Sequence, residues 1–181
     1  MSAQLIDTNV MLASSAIFEL SNLSKDAMPR ERLLREMIYN WLVAFEESNQ
    51  ALVLDDENLI RMEYERNMKY NQQTYGPEYG MLVVQNKIDT GQVSWVTITA
   101  QEGNGEIIAV LNEELTKIVT DREDRKWVAS SLSHRELYEF APPIVYGAES
   151  DWFLIEDRLA EHGVVFKRLL PDSWYQSRHS S

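Results

Sequence analysis

Short apolar segments alternate with longer segments of helical periodicity along this chain of 181 residues. The segments that predict strands are 4–6, 51–54, 93–99, 144–146 and 164–166. Between them, apolar residues recur at helical spacing, most clearly across 31–48, and a further helix is expected at 107–119. Strands that alternate with helices must return in the same direction, which favours parallel pairing. The pattern therefore predicts an α/β fold, a three-layer α/β/α sandwich around a central, mostly parallel sheet.

The composition fits one globular domain. Hydrophobic residues make up 44% of the chain and charged residues 25%, which allows a substantial core. We expect a single domain over residues 1–172, followed by a C-terminal tail over 173–181. Cysteine is absent, which excludes disulfides and thiolate metal ligands. The sequence has no secretory signal pattern and no long apolar run, so a cytoplasmic protein without membrane attachment is expected.

Acidic residues follow the predicted strands at the points where parallel sheets place ligands. Asp7 comes directly after the first strand, and Glu149 and Asp151 follow the fourth. Glu63 lies on the helix after the second strand, and Asp124 lies near the start of a later helix. Because ligands collect at the carboxyl ends of parallel strands, we expect these acids to converge at one edge of the sheet.

A convergent group of carboxylates has a specific physical requirement. The negative charges repel one another, and burial adds a cost of desolvation. Mg²⁺ or Mn²⁺ relieves both, because these hard ions prefer oxygen ligands. Each acid taken alone also fits an ordinary helix cap or a solvated surface position. The metal-site hypothesis depends on the order and strand context of the acids together.

Four strings in the sequence resemble the motifs of PIN-domain nucleases. They are LIDTNV at 5–10, RMEYER at 61–66, EDRKWVASSL at 123–132 and ESDWFLIEDRLAEHGVVFKRL at 149–169. DTN alone is a weak signal, whereas DRKWVA followed in order by SDW and a helix is more specific. The resemblance spans about residues 5–170 and implies the same three-layer fold.

The resemblance also implies which acids are catalytic and hold Mg²⁺ or Mn²⁺. These are Asp7, Glu63, Asp124 and Asp151. The family often reads DSDW in its last motif, and Glu149 stands at the first acid of that string here. Either Glu149 or Asp151 could be the final metal ligand. Asp151 is preferred because it is unchanged from the family pattern.

Other residues receive roles from the same resemblance. Thr8 and Asn9 would orient Asp7 from outside the ligand set. Arg125 and Lys126 flank Asp124 and are candidates for contact with a substrate phosphate, the alternative being that they pair with Glu123 or other nearby acids. The implied activity is endonucleolytic cleavage of RNA by a metal-activated water, with single-stranded DNA as a further substrate. The family also suggests an antitoxin or another complex partner, and a homodimer.

The net charge of −12 disfavours the binding of nucleic acid, because proteins normally bind this polyanion through Lys and Arg side chains. Either the acids are concentrated where divalent cations neutralise them, or the protein does not bind nucleic acid tightly by itself. The second hypothesis is therefore a catalytically silent PIN-fold module that binds nucleic acid or protein in a larger complex. A phosphatase of another α/β fold would need a DxD pattern after the first strand, which DTN does not supply.

Overall fold

A central parallel sheet organises the fold in the computed structural model, which describes residues 2–180. Within these residues the sheet has five strands in the order β3-β2-β1-β6-β7. Its strands are β1 (Ala3–Ile6), β2 (Ala51–Asp55), β3 (Val93–Val96), β6 (Ile144–Tyr146) and β7 (Phe166–Arg168). Every neighbouring pair is parallel. The predicted fold class is confirmed.

The burial of the side chains distinguishes the three middle strands of the sheet from the two outer ones. Every residue of β1, β2 and β6 is buried, as expected for parallel strands that are covered on both faces. The outer strand β7 is only partly buried, and β3 is buried fully at Val96 alone. The continuous apolar runs at 51–54 and 144–146 therefore mark the middle of the sheet.

Helices connect the strands and cover the sheet. They are α1 (Thr8–Ser15), α2 (Arg32–Glu47), α3 (Leu59–Asn67), α4 (Tyr79–Asp89), α5 (Glu113–Ile118), α6 (Arg125–Tyr138), α7 (Ser150–Ala160) and α8 (Asp172–His179). Helices α1, α2 and α4 pack against one another, and α6 packs against α3, β2 and β3. The sheet and its flanking helices form the expected three-layer sandwich.

A β-hairpin replaces the beginning of the helix predicted at 107–119. It consists of β4 (Ala100–Gly103) and β5 (Glu106–Ala109), paired antiparallel. Asn104 and Gly105 form its two-residue turn, and both have positive φ angles, of 55° and 80°. This geometry belongs to hairpin turns and favours Asn-Gly. The Asn-Gly pair in the sequence indicates this hairpin turn. The prediction of a helix that begins at 107 was wrong, because the helix α5 begins only at Glu113.

The end of the chain also differs from the expectation. The segment predicted as a tail at 173–181 lies largely in α8, where Tyr175 is completely buried. The Tyr175 hydroxyl donates a hydrogen bond to the Gly147 carbonyl at 2.8 Å, which ties α8 to the segment after β6. Ser181 lies outside the described residues. In the part of the chain that the structure describes, no helix is both long enough and apolar enough to cross a bilayer.

Candidate functional site

The order of the strands creates a crevice beside β1. From β1 the chain moves through α1 and α2 to β2 on one side, and β6 lies on the other. Open parallel sheets bind ligands at such a switch point, outside the carboxyl ends of the strands. Asp7 directly follows β1, and Glu149 comes three residues after the end of β6. Both acids therefore stand at the edge where the sheet topology favours a ligand.

Acids from four separate parts of the chain line one cavity of about 390 Å³ at this edge. They are Asp7, Glu63, Asp121, Glu123, Asp124 and Glu149. The remaining lining residues are Thr8, Asn9, Leu12, Arg66 and Asn67. The predicted acids Asp7, Glu63 and Asp124 are thus brought together, and Glu149 joins them. We call this space the acidic cavity.

Hydrogen bonds hold Asp7 in a fixed orientation in the acidic cavity. Its Oδ1 accepts hydrogen bonds from the backbone N–H of Asn9 at 3.0 Å and from Asn9 Nδ2 at 2.6 Å. Its Oδ2 accepts from Trp152 Nε1 at 2.6 Å. Burial raises the pKa of Asp7 to about 7, although the hydrogen bonds from Trp152 and Asn9 oppose the rise, and Glu63 and Glu149 contribute to it. Asp7 therefore changes its charge close to neutral pH.

Asn9 links the two strands that carry the acids. While its Nδ2 donates to Asp7, its Oδ1 accepts from the backbone N–H of Gly147 at 2.8 Å. Gly147 has little room for a side chain, because an added Cβ would lie 2.8 Å from Ile38 Cδ1. The Asn9 side chain thus fixes the end of β6 relative to the end of β1, and it orients Asp7 as the sequence predicted.

Glu63 makes contacts that differ from those expected of a free metal ligand. Its Oε1 accepts a hydrogen bond from the Thr8 hydroxyl at 2.5 Å, and its Oε2 forms an ion pair with Lys126 Nζ. The side chains of Glu63 and Lys126 are 14% and 7% exposed, so water screens this pair weakly. Thr8 therefore orients Glu63 and not Asp7, which corrects the role predicted for it.

Asp124 lines the acidic cavity and lies directly before α6. Within the described residues its side chain makes no capping hydrogen bond. Burial raises its pKa to about 8, with further contributions from the charges of Asp7, Asp121 and Glu149, while Lys126 acts in the opposite direction. A carboxyl group that is desolvated, close to other acids and unpaired is more stable in its neutral form unless a cation is supplied.

The structure favours Glu149 over Asp151 as the fourth acid of the cavity. Glu149 lines the cavity, whereas Asp151 is exposed and is not among the lining residues. Glu149 Oε1 accepts a hydrogen bond from the Asp151 backbone N–H at 3.0 Å and so caps α7. Burial raises the pKa of Glu149, and the charges of Asp151 and Asp121 add to the effect. In the structure Glu149, and not the preferred Asp151, lines the cavity, and the identity of the last metal ligand stays a prediction.

The two basic residues considered for phosphate contact have internal partners. Lys126 is buried, pairs with Glu63 and donates to the Glu123 carbonyl. Arg125 Nε donates to the Val119 carbonyl at 3.3 Å. Lys126 therefore follows the alternative prediction, in which a basic residue pairs with a nearby acid, and the acid is Glu63. A different basic residue, Arg66, lines the acidic cavity and pairs with Glu123 at 2.7 Å.

Two contributors to the site were not assigned their roles from the sequence. Trp152 belongs to the SDW string and has no predicted contact with Asp7, yet its indole N–H donates a hydrogen bond to Asp7 Oδ2. Arg66 was not singled out, although it is the last residue of the RMEYER string, three positions after Glu63. That spacing places the two residues on the same face of a helix, which was the available signal for Arg66.

The carboxylate oxygens of the cavity suit a hard divalent cation, but they do not surround one common position. Asp7, Asp124 and Glu149 offer carboxylate oxygens, the ligands that Mg²⁺ and Mn²⁺ prefer. The unpaired, desolvated carboxyl group of Asp124 is the feature that fits a cation best. Among residues 2–180, however, no three His, Asp or Glu side chains form a group that could hold a metal ion. Binding would require these side chains to move closer together.

Comparison with protein-family models, with curated proteins and with solved structures returns no significant match. The likeness to PIN-domain nucleases consequently depends on the four sequence strings. The structure itself shows the fold class, and it places four acids around one cavity without reference to any family: Asp7, Glu63, Asp124 and Glu149.

Proposed function

We propose that this protein is a Mg²⁺- or Mn²⁺-dependent phosphodiester hydrolase that cleaves RNA internally. The observation that carries the proposal is the acidic cavity, in which acids from four distant segments meet outside the carboxyl ends of β1 and β6. Such a group is costly unless a cation neutralises it. Perturbed carboxyl groups in a cleft are typical of functional sites, which supports a catalytic role over a structural one.

Each acid has a distinct task in this proposal. Asp7, Asp124 and Glu149 would hold the cation, and Glu63 would support them from its position between Thr8 and Lys126. When bound, the cation supplies positive charge that acidifies water and stabilises negative charge developing on a phosphoryl oxygen. Trp152 and Asn9 keep Asp7 in one orientation, so this one ligand is already oriented before a cation binds.

The raised pKa values define the protonation of the site. Near neutral pH and without a cation, Asp124 keeps its proton because its pKa is about 8, and Asp7 is partly protonated because its pKa is about 7. A cation favours the ionised carboxylates and would displace these protons. We therefore expect activity to rise with pH over the range in which the two groups ionise.

A second candidate function is a catalytically silent module that binds nucleic acid or protein. The specific observation in its favour is the ion pair between Lys126 and Glu63, because Lys126 already supplies a positive charge inside the acid group. In that case the lysine would take over part of the neutralising role of a metal ion.

The assay that separates the two functions uses purified protein with single-stranded RNA and with single-stranded DNA. Each substrate is incubated with Mn²⁺, Mg²⁺ or EDTA, and the products are resolved on a denaturing gel. We expect internal cleavage of RNA with Mn²⁺ or Mg²⁺ and none with EDTA. Asp7→Asn and Asp124→Asn should each lower the rate at least about a hundredfold, because each removes a charged ligand.

Matched variants make the assay specific. Asp157→Asn changes an exposed acid on α7 that does not line the cavity, and it should leave the rate unchanged. Glu149→Gln should be more damaging than Asp151→Asn, because Glu149 lines the cavity and Asp151 does not. Cleavage that survives in both Asp7→Asn and Asp124→Asn comes from a contaminating enzyme and contradicts the proposal. Absence of cleavage with every metal favours the silent module.

A further inference from the structure

A second groove adjoins the acidic cavity on the side of the hairpin. It lies between α3, the β4–β5 hairpin and the start of α6, with a volume of about 250 Å³. Glu63, Arg66 and Glu123 line both this groove and the acidic cavity, so the two spaces share a wall. We call it the hairpin groove. The groove is therefore a direct neighbour of the acidic cavity.

Both walls of the hairpin groove carry an exposed apolar side chain. Met62 on α3 is 46% exposed, and Ile107 on β5 is 54% exposed. Leu59, Ile108 and Ala109 add further apolar surface to the lining. Large apolar side chains on both walls of one narrow groove leave surface that a flat, apolar ligand can cover.

The groove is lined by charges of both signs, three basic (Arg66, Arg122 and Lys126) and three acidic (Glu63, Glu106 and Glu123). Two of the basic side chains are paired with acids of the same lining, Lys126 with Glu63 and Arg66 with Glu123. Arg66 is paired with Glu123 on the exposed surface, where such pairs are weak and exchange readily for a phosphate. Arg122 is exposed and forms no ion pair with any residue in the range 2–180. Its guanidinium is free to meet an anion.

An apolar surface beside arginine side chains is complementary to a nucleotide, which has an apolar face on its base and a negative charge on its phosphate. The volume lies below the range of about 300–1,000 Å³ that is usual for drug-sized ligands, so the groove suits a single nucleotide unit. We propose that the hairpin groove binds the nucleotide next to the cleaved phosphodiester. Its base contacts Met62 and Ile107, and its phosphate contacts Arg122. This inference rests on the proposed hydrolase function.

The proposed contact with the base requires a nucleotide that is not paired. A base can lie on Met62 and Ile107 only if it is not paired, since a paired base would carry its partner strand into the hairpin. The hairpin therefore selects unpaired RNA by its shape, and the groove needs no base-specific hydrogen bonds for that selection. Bases of different identity should bind with similar affinity.

The test measures binding separately from cleavage. Fluorescence anisotropy with a short labelled oligouridylate gives the Kd for the full-length protein in EDTA, over a series of salt concentrations. Ile107→Asp should weaken binding about tenfold, because it removes apolar contact and adds a negative charge. Arg122→Ala should reduce the slope of log Kd against log salt by about one, as expected for the loss of one phosphate contact.

Controls separate the groove from general effects. Leu33→Asp changes an exposed leucine on α2 (75% exposed), and Arg158→Ala changes an exposed arginine on α7; neither lines the groove, so both should bind like the wild type. Ile107→Thr is a milder variant that retains a β-branched residue in β5, in case Ile107→Asp does not fold. Circular dichroism and the thermal midpoint report whether each variant is folded.

Cross-linking provides a second measurement that does not depend on affinity. RNA that contains 4-thiouridine should cross-link to peptides carrying Met62 or Ile107. Binding that depends on the groove without any cleavage supports the groove and contradicts the hydrolase. Cleavage with wild-type KM and Kd in the Ile107 and Arg122 variants contradicts the groove and leaves the hydrolase standing. No detectable RNA binding, or cross-links confined to other surfaces, overturns the inference.

Discussion

At the scale of single residues, the candidate site depends on how each carboxyl group is partnered. Both oxygens of Asp7 accept hydrogen bonds, from Asn9 and from Trp152. Both oxygens of Glu63 are also occupied, by Thr8 and Lys126. Asp124 shares the cavity and makes no capping hydrogen bond among the described residues. The three acids therefore respond differently when charge or pH changes.

Asp124→Asn should stabilise the protein at high pH. The raised pKa means that folded Asp124 keeps its proton up to about pH 8, whereas the unfolded chain releases it near pH 4. Between these values the unfolded state binds fewer protons, so the stability of the wild type falls as pH rises. Asparagine avoids the loss, and we expect a gain on the order of 1 kcal/mol above about pH 8 and almost none near pH 4. Urea denaturation at both pH values measures it.

The control for this prediction is Asp121→Asn. Asp121 is exposed, and its Oδ1 accepts from the Glu123 backbone N–H at 2.9 Å, a bond that an asparagine oxygen can also accept. Its effect should be small at both pH values. An equal gain for Asp124→Asn near pH 4 and above pH 8 would show that the burial of charge is not the cause.

Lys126→Met should destabilise the protein by about 2–3 kcal/mol, because it leaves Glu63 with little solvent and no opposite charge. The double variant Lys126→Met with Glu63→Gln should recover most of that loss, since no unpaired charge remains. A double-mutant cycle from urea denaturation gives the coupling energy. Strict additivity of the two substitutions would contradict a close interaction between these side chains.

At the scale of secondary-structure elements, the hairpin and α8 determine the surroundings of the acids. The β4–β5 hairpin forms one wall of the hairpin groove through residues 105–109. Helix α8 supports the segment after β6, because its Tyr175 donates to the Gly147 carbonyl. Gly147 lies two positions before Glu149, so α8 helps to position the acid that follows β6.

Substitutions at Tyr175 test whether α8 belongs to the folded domain. Tyr175→Ala should lower the unfolding free energy by about 3–4 kcal/mol, because it removes a completely buried aromatic ring. Tyr175→Phe should cost about 1 kcal/mol, the value of the lost hydrogen bond. Tyr70→Ala, at a tyrosine that is 60% exposed, is the control and should have little effect. A Tyr175→Ala variant as stable as this control would mean that α8 contributes nothing to the fold.

At the scale of the whole molecule, the acids together produce a negative electrostatic potential at one edge of the sheet. The chain carries a net charge of −12, and acids from four segments are concentrated at one edge of the sheet. Like charges held together destabilise the compact state. A divalent cation bound at this edge should therefore stabilise the complete fold, and protons should compete with it.

Mn²⁺ should raise the thermal midpoint more above about pH 8 than near pH 6, because Asp7 and Asp124 lose their protons between these values. Saturation at a hundred times the Kd corresponds to about 2.7 kcal/mol. Differential scanning fluorimetry measures the shift, with NaCl at matched ionic strength as the control for screening. The shift should shrink in Asp124→Asn and persist in Asp157→Asn. An identical shift with NaCl would exclude a specific site.

Much of this architecture could be predicted because it follows from local patterns. Apolar runs at 51–54 and 144–146 have to be buried on both faces, which places them in the middle of a parallel sheet. The hairpin was missed because apolar residues at 107–111 also fit a helix, and the Asn104-Gly105 turn was given no weight. Helix α8 was missed because its sequence has little apolar periodicity, and its stability comes from the burial of Tyr175 against the rest of the fold.

The sequence by itself determined the class of fold and the segments that carry acids, because the alternation of strands and helices leaves little choice of which strand ends share an edge. The tertiary structure alone decided which acids face the cavity. Glu149 points into it and Asp151 does not, since the cap of α7 sets their directions. It also decided that Lys126 meets Glu63, because that contact joins side chains from α3 and α6 and depends on how the two helices pack.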